Sequence, residues 1–280
     1  MGLKRKLWLI YVNTCIRCMR RRRLEQTDHL NCDTTPQKTG HIDLVTVAFN
    51  NEHLIKQQLL LLKKFIQDKP VHFTIADNSN IPGKRKIIKN ICRELGAGYI
   101  SMPQNMLQHY PGGSYAHGSS LNWIYTNYIK LRRPTFFGFL DHDLFPIKTI
   151  SISQLIGGQD FYGAINQRPK GWYLWAGLSI FRFKAVENLP LNFIPYIEQG
   201  EYLDTGGANY PILYKKYDID KLHHIERKNI PLGEGTDYHS DYIQYLDSEW
   251  LHIINGSNWK GCDPNSLSRK ENFINDLLKD

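Results

Sequence analysis

The 280-residue chain has no apolar run close to the roughly 20 residues a helix needs to cross a bilayer. Its nearest approach, Leu7-Trp8-Leu9-Ile10-Tyr11-Val12, is far too short. The same run makes a poor secretory leader, because arginines follow it and no small-residue cleavage site is evident. Cysteine is scarce and unmatched: Cys15, Cys18, Cys32, Cys92 and Cys262 form an odd set with no second close pair beside Cys15 and Cys18. That pattern argues against a zinc cage or a disulfide framework, and Cys15-X-X-Cys18 lies among arginines rather than at the strand-to-helix turn of a redox unit. Reduced thiols in a cytoplasmic protein are the simpler expectation. No internal repeat or long low-complexity segment is visible.

The composition that remains is ordinary for a folded domain, with 41% hydrophobic and 22% charged residues, enough to bury a sizeable core. The net charge of +8 favours acidic partners, which include nucleic acid, nucleotide phosphates and anionic lipid. Much of the excess precedes the first recognisable strand, in Lys4, Arg5, Lys6, Arg17 and Arg20 to Arg23. No aromatics are interleaved with those arginines, so nucleic acid is not the expected partner. Residues 1–24 instead read as a basic amphipathic helix suited to an anionic membrane surface, peripheral rather than spanning. Residues 25–40, with Asp33, Thr34, Thr35, Pro36 and Gly40, read as a linker, and residues 41–280 as the folded domain.

Within that domain the hydrophobic periods alternate. Ile42–Ala48 and Val71–Ala76 read as strands, 52–65 and 84–95 as helices, and Tyr99–Ser101 as a third strand after Gly96 and Gly98. A helix over Gly118–Ile129 and a strongly apolar strand over Phe136–Leu140 follow. Such alternation implies an α/β fold with a mainly parallel sheet and helices on both faces, whose ligands sit beyond the carboxyl ends of the strands. Later the periods overlap. A strand at Leu178–Phe183, a helix through Ala208–Tyr217 and a terminal helix from about Leu267 are expected there.

The segment Phe136-Phe-Gly-Phe-Leu-Asp-His-Asp-Leu-Phe-Pro146 ends a buried strand in two carboxylates one residue apart. Their mutual repulsion would raise one pKa unless a cation is present. Hard oxygen ligands of this kind suit Mg²⁺ or Mn²⁺ bridging to substrate phosphates.

The run Val45-Thr-Val-Ala-Phe-Asn-Asn-Glu52, then Thr74-Ile-Ala-Asp-Asn-Ser79, then Asp141-His-Asp143, resembles family 2 glycosyltransferases with the GT-A fold, the fold of nucleotide-diphospho-sugar transferases. The resemblance covers about residues 42–146 and is loose beyond. It implies a nucleotide-binding half over 41–146 and an acceptor half over 147–280. Phe49, Asn50 and Glu52 would then line the nucleotide pocket, Asp77 and Asn78 would touch uracil or another base, and Asp141 and Asp143 would hold metal and diphosphate. Uridine diphosphate is expected by family frequency alone. Asn51 can equally cap the helix that follows, and Asp77 can equally serve a turn.

Other segments fit the same reading. Gly112-Gly-Ser-Tyr-Ala-His-Gly-Ser-Ser-Leu-Asn122 offers backbone N–H groups for phosphate, with His117 or Asn122 nearby, or else an ordinary helix start. Trp172-Tyr-Leu-Trp-Ala-Gly-Leu178 offers aromatic faces to a sugar or lipid-linked acceptor, or to the core. Asp204 is the candidate general base if the reaction inverts the anomeric centre, or a helix cap. His252, in a short apolar strand, resembles a third metal ligand, with His223 and His224 as competitors, and Lys260 could neutralise the departing diphosphate. The expected activity is hexosyl transfer to a hydroxyl acceptor in cell-surface polysaccharide or glycan assembly. One rival is a nucleotidyltransferase, although Asn50-Asn-Glu-His53 is not the glycine-rich, arginine-containing loop such enzymes use. The other is a non-enzymatic basic protein that binds membrane or nucleic acid.

Overall fold

The computed structural model describes residues 14, 18–19, 21–27, 32–104, 113–232, 242–254 and 264–279. Strands β1 (Ile42–Ala48), β2 (Val71–Asp77) and β3 (Gly98–Ser101) alternate with helices α1 (Glu52–Phe65) and α2 (Pro82–Glu94). Asn51 does cap α1, its side chain accepting the Leu54 N–H. Pro82 opens α2, where a missing N–H breaks no helical bond. Helix α3 (Gly113–Ile124) starts five residues before the expected Gly118 and runs on through a π-turn at Tyr125–Ile129 to Arg132. Strands β4 (Phe136–Asp141), β5 (Leu144–Pro146), β6 (Phe161–Arg168) and β7 (Gly171–Arg182) follow.

The fold is α/β with a mainly parallel central sheet in the order β3-β2-β1-β4-β7-β6. The first four strands are parallel to one another, while β7 and β6 are antiparallel. Alternation along β1 sends Val45 and Val47 to a core shared with Trp123, Tyr125, Phe137, Phe139 and Phe193, and Ile42 and Leu44 to the opposite core with Ile55, Leu59, Ile88 and Ile91. Helix α3 therefore covers one face, and α1 and α2 the other. Gly138 is forced by this sandwich: a Cβ there would stand 2.9 Å from Leu44 Cδ2 and 3.0 Å from Ile180 Cγ1.

Beyond the sheet, β8 (Tyr196–Glu198) and β9 (Glu201–Leu203) form a hairpin. Strands β10 (Arg227–Pro231), β11 (Tyr242–Leu246) and β12 (Trp250–His252) join β5 in a second, antiparallel sheet. Helix α4 (Pro264–Lys279) leans on α1, with Gln57 Nε2 donating to Asn275 Oδ1 at 2.7 Å. The helix expected over Ala208–Tyr217 is instead two short 3₁₀ turns, Gly207–Asn209 and Tyr214–Lys216. Pro211 interrupts the segment without an N–H to give, and buried Leu213 and Tyr214 are taken up by the core.

Described residues before His41 are also held to the domain, while most of residues 1–20, over which the basic helix was expected, lie outside the described residues. Residues 21–25 are helical, but Arg23 is only 4% exposed, Asn127 Nδ2 donates to Leu24 O at 3.1 Å, and Trp123 Nε1 to Gln26 O at 3.0 Å. The described part of the expected linker is pinned as well. Arg132 forks onto buried Asp43 at 2.7 and 3.0 Å and donates to Asp33 O at 2.8 Å, while Gly40 N–H reaches Thr135 Oγ1 at 2.7 Å. No helix among the described residues is long and apolar enough to cross a membrane.

Candidate functional site

The parallel strands β1, β2 and β4 end side by side, with Ala48 opposite Asp77 and Val47 opposite Asp141. Their loops open onto a cleft of about 520 Å³, within the range of small-molecule sites. One wall carries Val47, Phe49 and Asn78; Asp141, His142 and His117 form the centre; Trp175, Ala176, Asp204 and Thr205 face them, and Gly113 and Ser114 of α3 complete the rim. Strand β7 reaches this edge because it runs antiparallel: Leu178 pairs with Leu140, so Trp175 and Ala176 lie beyond the end of β4.

The Asp141–Asp143 turn is anchored from below by Gln58 of α1. Fully buried, its Nε2 donates to Asp141 O and Leu144 O, both at 2.7 Å, and its Oε1 accepts from Thr46 Oγ1 at 2.8 Å. His142 is buried between the two carboxylates, with Nδ1 3.3 Å from Val47 O. His117 Nε2 stands 3.5 Å from Asp141 Oδ1. His252 Nε2 stands 3.8 Å from Asp143 Oδ2, brought there by pairing of β12 with β5, where His252 faces Leu144. Burial, together with the charge of Asp143, raises the Asp141 carboxyl above the usual range despite the opposing influence of His117. Burial also pushes Asp143 upward, but His252 and His142 outweigh it and hold that carboxyl well below the usual range.

These residues fit a divalent cation in one particular way. Among the described residues no group of three His, Cys, Asp or Glu side chains is placed to hold a metal alone. Mg²⁺ and Mn²⁺ are commonly held by one or two carboxylates with substrate phosphates completing the shell; Asp141 lines the cleft, and Asp143, 4% exposed, lies behind it against His252. Among the described residues His142 Nε2 and His252 Nδ1 are buried without a hydrogen-bond partner, leaving polar capacity unspent around the turn.

The remaining expected residues divide. Phe49, Asn78, His117, Asp141 and Asp204 meet in the cleft. Asp77 lies beneath it, fully buried, accepting from Ser79 N and Tyr99 Oη at 2.9 Å each, so it shapes the turn that carries Asn78. Asn50, at φ 53°, staples two loops together: its N–H donates to Ser79 Oγ at 2.8 Å and its Oδ1 accepts from Ile81 N at 3.2 Å. Glu52 pairs with Lys84 rather than facing the cleft, and that partner overcomes burial to lower its pKa. His223 bonds Asp247 at 2.7 Å, and His224 bonds Ile219 O at 2.8 Å. Neither approaches Asp143 as His252 does. Asp204 caps no α-helix: its Oδ1 accepts from Thr205 N at 2.7 Å in a tight turn. Lys260 lies outside the described residues.

Trp175 has its ring centroid 4.6 Å from that of His252. The indole lies directly over Gly177, where any Cβ would collide with it, so Gly177 sets how the ring faces the cleft. Three contributors were not singled out from sequence: Gln58, Thr205 and His142. A buried glutamine in an amphipathic helix and a threonine beside an aspartate carry no chemical signature. His142, lying between the two aspartates, did carry a positional one.

No protein-family model matches the chain, and no curated protein matches it. Solved structures with a similar arrangement include the galactosyltransferase LgtC in complex with donor and acceptor sugar analogues, at 16% identity, TM-score 0.38, covering 51% of this chain and 58% of that one. Staphylococcus aureus TarS matches at 14% identity, TM-score 0.37, covering 55% of this chain and 30% of that one. The Pyrobaculum calidifontis mannosyltransferase PcManGT, in complex with GDP-Man and Mn²⁺, matches at 10% identity, TM-score 0.36, covering 64% of this chain and 56% of that one. The chain thus spans a little over half the length of the LgtC and PcManGT structures it matches, and less than a third of TarS.

Proposed function

We propose that this protein is a metal-dependent glycosyltransferase that moves a sugar from a nucleoside-diphosphate donor to a hydroxyl acceptor. The observation that carries the reading is the meeting, in one cleft at the carboxyl ends of parallel strands, of a carboxylate turn with two chemically different walls. Asn78 and Phe49 form a wall suited to a nucleoside, and Trp175, Asp204 and Thr205 form one suited to a sugar hydroxyl. Asp141 and Asp143 would hold Mn²⁺ or Mg²⁺, which when bound supplies positive charge against the diphosphate.

The chain's own residues do the rest. Asn78 and Phe49 hold the nucleoside, and His117, 3.5 Å from Asp141, offers a ring nitrogen at the diphosphate end of the cleft. Trp175 presents an apolar face to the acceptor ring and excludes water from that side. Asp204, oriented by the Thr205 N–H, accepts the proton of the attacking hydroxyl, so the reaction inverts the anomeric centre. UDP-hexose is the first donor to try, with a glycan or lipid-linked acceptor of the kind used in surface-polysaccharide assembly. Exposed Arg21 and Arg22, with Lys4, Arg5, Lys6 and Arg17, would keep the domain peripheral on anionic lipid at the cytoplasmic face.

The test is product analysis with Mn²⁺ and a panel of nucleotide sugars. Release of free nucleoside diphosphate with a glycosylated acceptor is expected. Pyrophosphate release would assign nucleotidyl transfer instead, and no turnover with metal-dependent or metal-independent binding of nucleic acid would favour the non-enzymatic rival.

A further inference from the structure

Arg23 is an unusual charge among the described residues. It belongs to a cluster that reads as a solvated basic face, yet it is 4% exposed. Its Nη2 donates to Asn78 Oδ1 at 2.9 Å, its Nη1 to Ser119 Oγ at 3.2 Å and Ser120 Oγ at 3.1 Å, and its Nε and Nη2 to Pro103 O at 3.4 and 3.3 Å. Every one of these acceptors is neutral. No carboxylate among the described residues pairs with Arg23, and Arg85 adds an unfavourable like charge. A buried guanidinium with no counter-ion among the described residues gains nothing there from charge pairing to offset its lost hydration, so an apolar side chain would serve bare packing better.

The geometry of the fork supplies a use. Asn78 lies at the end of β2 and lines the cleft. Ser119 and Ser120 belong to α3, whose Gly113, Ser114 and His117 line the same cleft. Pro103 follows β3, whose last residue pairs with Asp77. One planar group therefore fixes three segments relative to one another, and it fixes the Asn78 amide: a guanidinium only donates, so the atom facing it must be the amide oxygen.

We propose that Arg23 is a positioning residue of the nucleotide half of the cleft, so that residues 21–27 are a working part of the donor site rather than a detachable surface helix. This rests on the nucleotide-sugar reading above. Arg23 acts through Asn78 and α3, not by touching the donor. Lysine is a poor substitute, because its single ammonium cannot span acceptors on three segments as a planar fork does.

The experiment is calorimetric titration of the full chain with UDP, GDP, CDP and ADP in the presence of Mn²⁺, for the unaltered protein, Arg23→Met, Arg23→Lys, Asn78→Ala and the Arg23→Met/Asn78→Ala double variant, with thermal unfolding measured on each. The unaltered chain is expected to prefer one nucleotide. Arg23→Met should weaken that nucleotide by about tenfold or more, as loss of charge-assisted bonds implies, and should flatten the preference among bases. Arg23→Lys should recover melting temperature more than affinity. The double variant should lose less than the sum of the two single losses, because the part of the Arg23 effect carried by Asn78 is already gone while the part carried by α3 remains. Full affinity and selectivity in Arg23→Met, or losses that simply add in the double variant, overturn the inference. If Arg23→Met does not fold, Arg23→Lys carries the test, and unaltered affinity there overturns it. Should the unaltered chain bind none of the four nucleotides, the nucleotide-sugar reading falls and takes this inference with it. Binding by the unaltered chain that is insensitive to Arg23 removes this inference alone.

Discussion

Replacing Gln58 by methionine keeps the length of the side chain and deletes all of its hydrogen bonds. In the folded protein those bonds hold Asp141 O, Leu144 O and Thr46 Oγ1 at 2.7, 2.7 and 2.8 Å, with the Gln58 side chain itself fully buried. Each lost bond costs about 1 kcal/mol, and a buried group left unpaired costs about 1–3 kcal/mol. Part of this is offset by burying an apolar side chain and by the Thr46 hydroxyl turning elsewhere. The net loss should be about 2–4 kcal/mol, readable as a lower urea midpoint at unchanged slope. Because two of the three bonds bracket the Asp141–Asp143 turn, nucleotide affinity measured with Mn²⁺ should fall beyond what the population of unfolded protein explains. Gln58→Glu supplies a pH signature. A carboxylate facing two carbonyls is stabilised only when protonated, so its folded pKa is raised above the unfolded value of about 4.3. Stability of that variant relative to the unaltered protein should be greatest below about pH 4.3 and decline as pH rises through the folded pKa. Stability within about 0.5 kcal/mol of the unaltered protein for Gln58→Met, or a destabilised variant whose site binds normally, would refute the role given to this residue.

Four further outcomes are expected. Gly177→Ala should displace the Trp175 indole and raise the acceptor KM while leaving donor affinity unchanged, since Trp175 and Asn78 lie on opposite walls; a raised donor KM would contradict that division. Asp204→Asn should lower kcat by about 10²–10⁴ with nucleotide affinity intact, and a retained kcat would remove Asp204 as the base and with it the expectation of inversion. Burial pushes the Cys32 thiol up to about 11 and the Cys92 thiol up to about 12, so iodoacetamide at pH 8 followed by peptide mapping should modify exposed Cys18 well before either. Rapid labelling of Cys32 would mean that the segment before β1 is not docked in solution. Replacing Lys4, Arg5, Lys6 and Arg17 by glutamine should weaken binding to phosphatidylserine vesicles without changing turnover of a soluble acceptor, and unchanged vesicle binding would end the membrane proposal.

The first half of the chain was legible because its signals are local. The bounds of β1 and α1 follow from an apolar run, a capping Asn51 and a helical period, and the placement of Asp141 at a strand end follows from Phe136–Leu140. What was not legible depends on contacts distant in sequence. Asp77, Asn50 and Glu52 have the right chemistry for a nucleotide, but Tyr99, Ser79 and Lys84 reach them from other elements and engage them in shaping the loops. The proximity of His252 to Asp143 comes from antiparallel pairing of β5 with β12, which spacing alone does not reveal. Arg23 resembled its neighbours in a run of like charges, and only the tertiary fold separates it from exposed Arg21 and Arg22. Past residue 165 aromatic and glycine-rich stretches fit both periods, and a helix expected across Pro211 became two 3₁₀ turns.

The proposed function requires a metal-dependent nucleotide site at the Asp141–Asp143 turn. Its most direct test is calorimetric titration of nucleoside diphosphates with and without Mn²⁺, on the intact chain and on Asp143→Ala. One nucleotide is expected to bind only with the metal, and Asp143→Ala is expected to abolish this binding in a variant that still unfolds cooperatively, at a melting temperature lowered by loss of the His252 contact. Absence of binding by every nucleotide under both conditions, or equal binding by the variant, would contradict it.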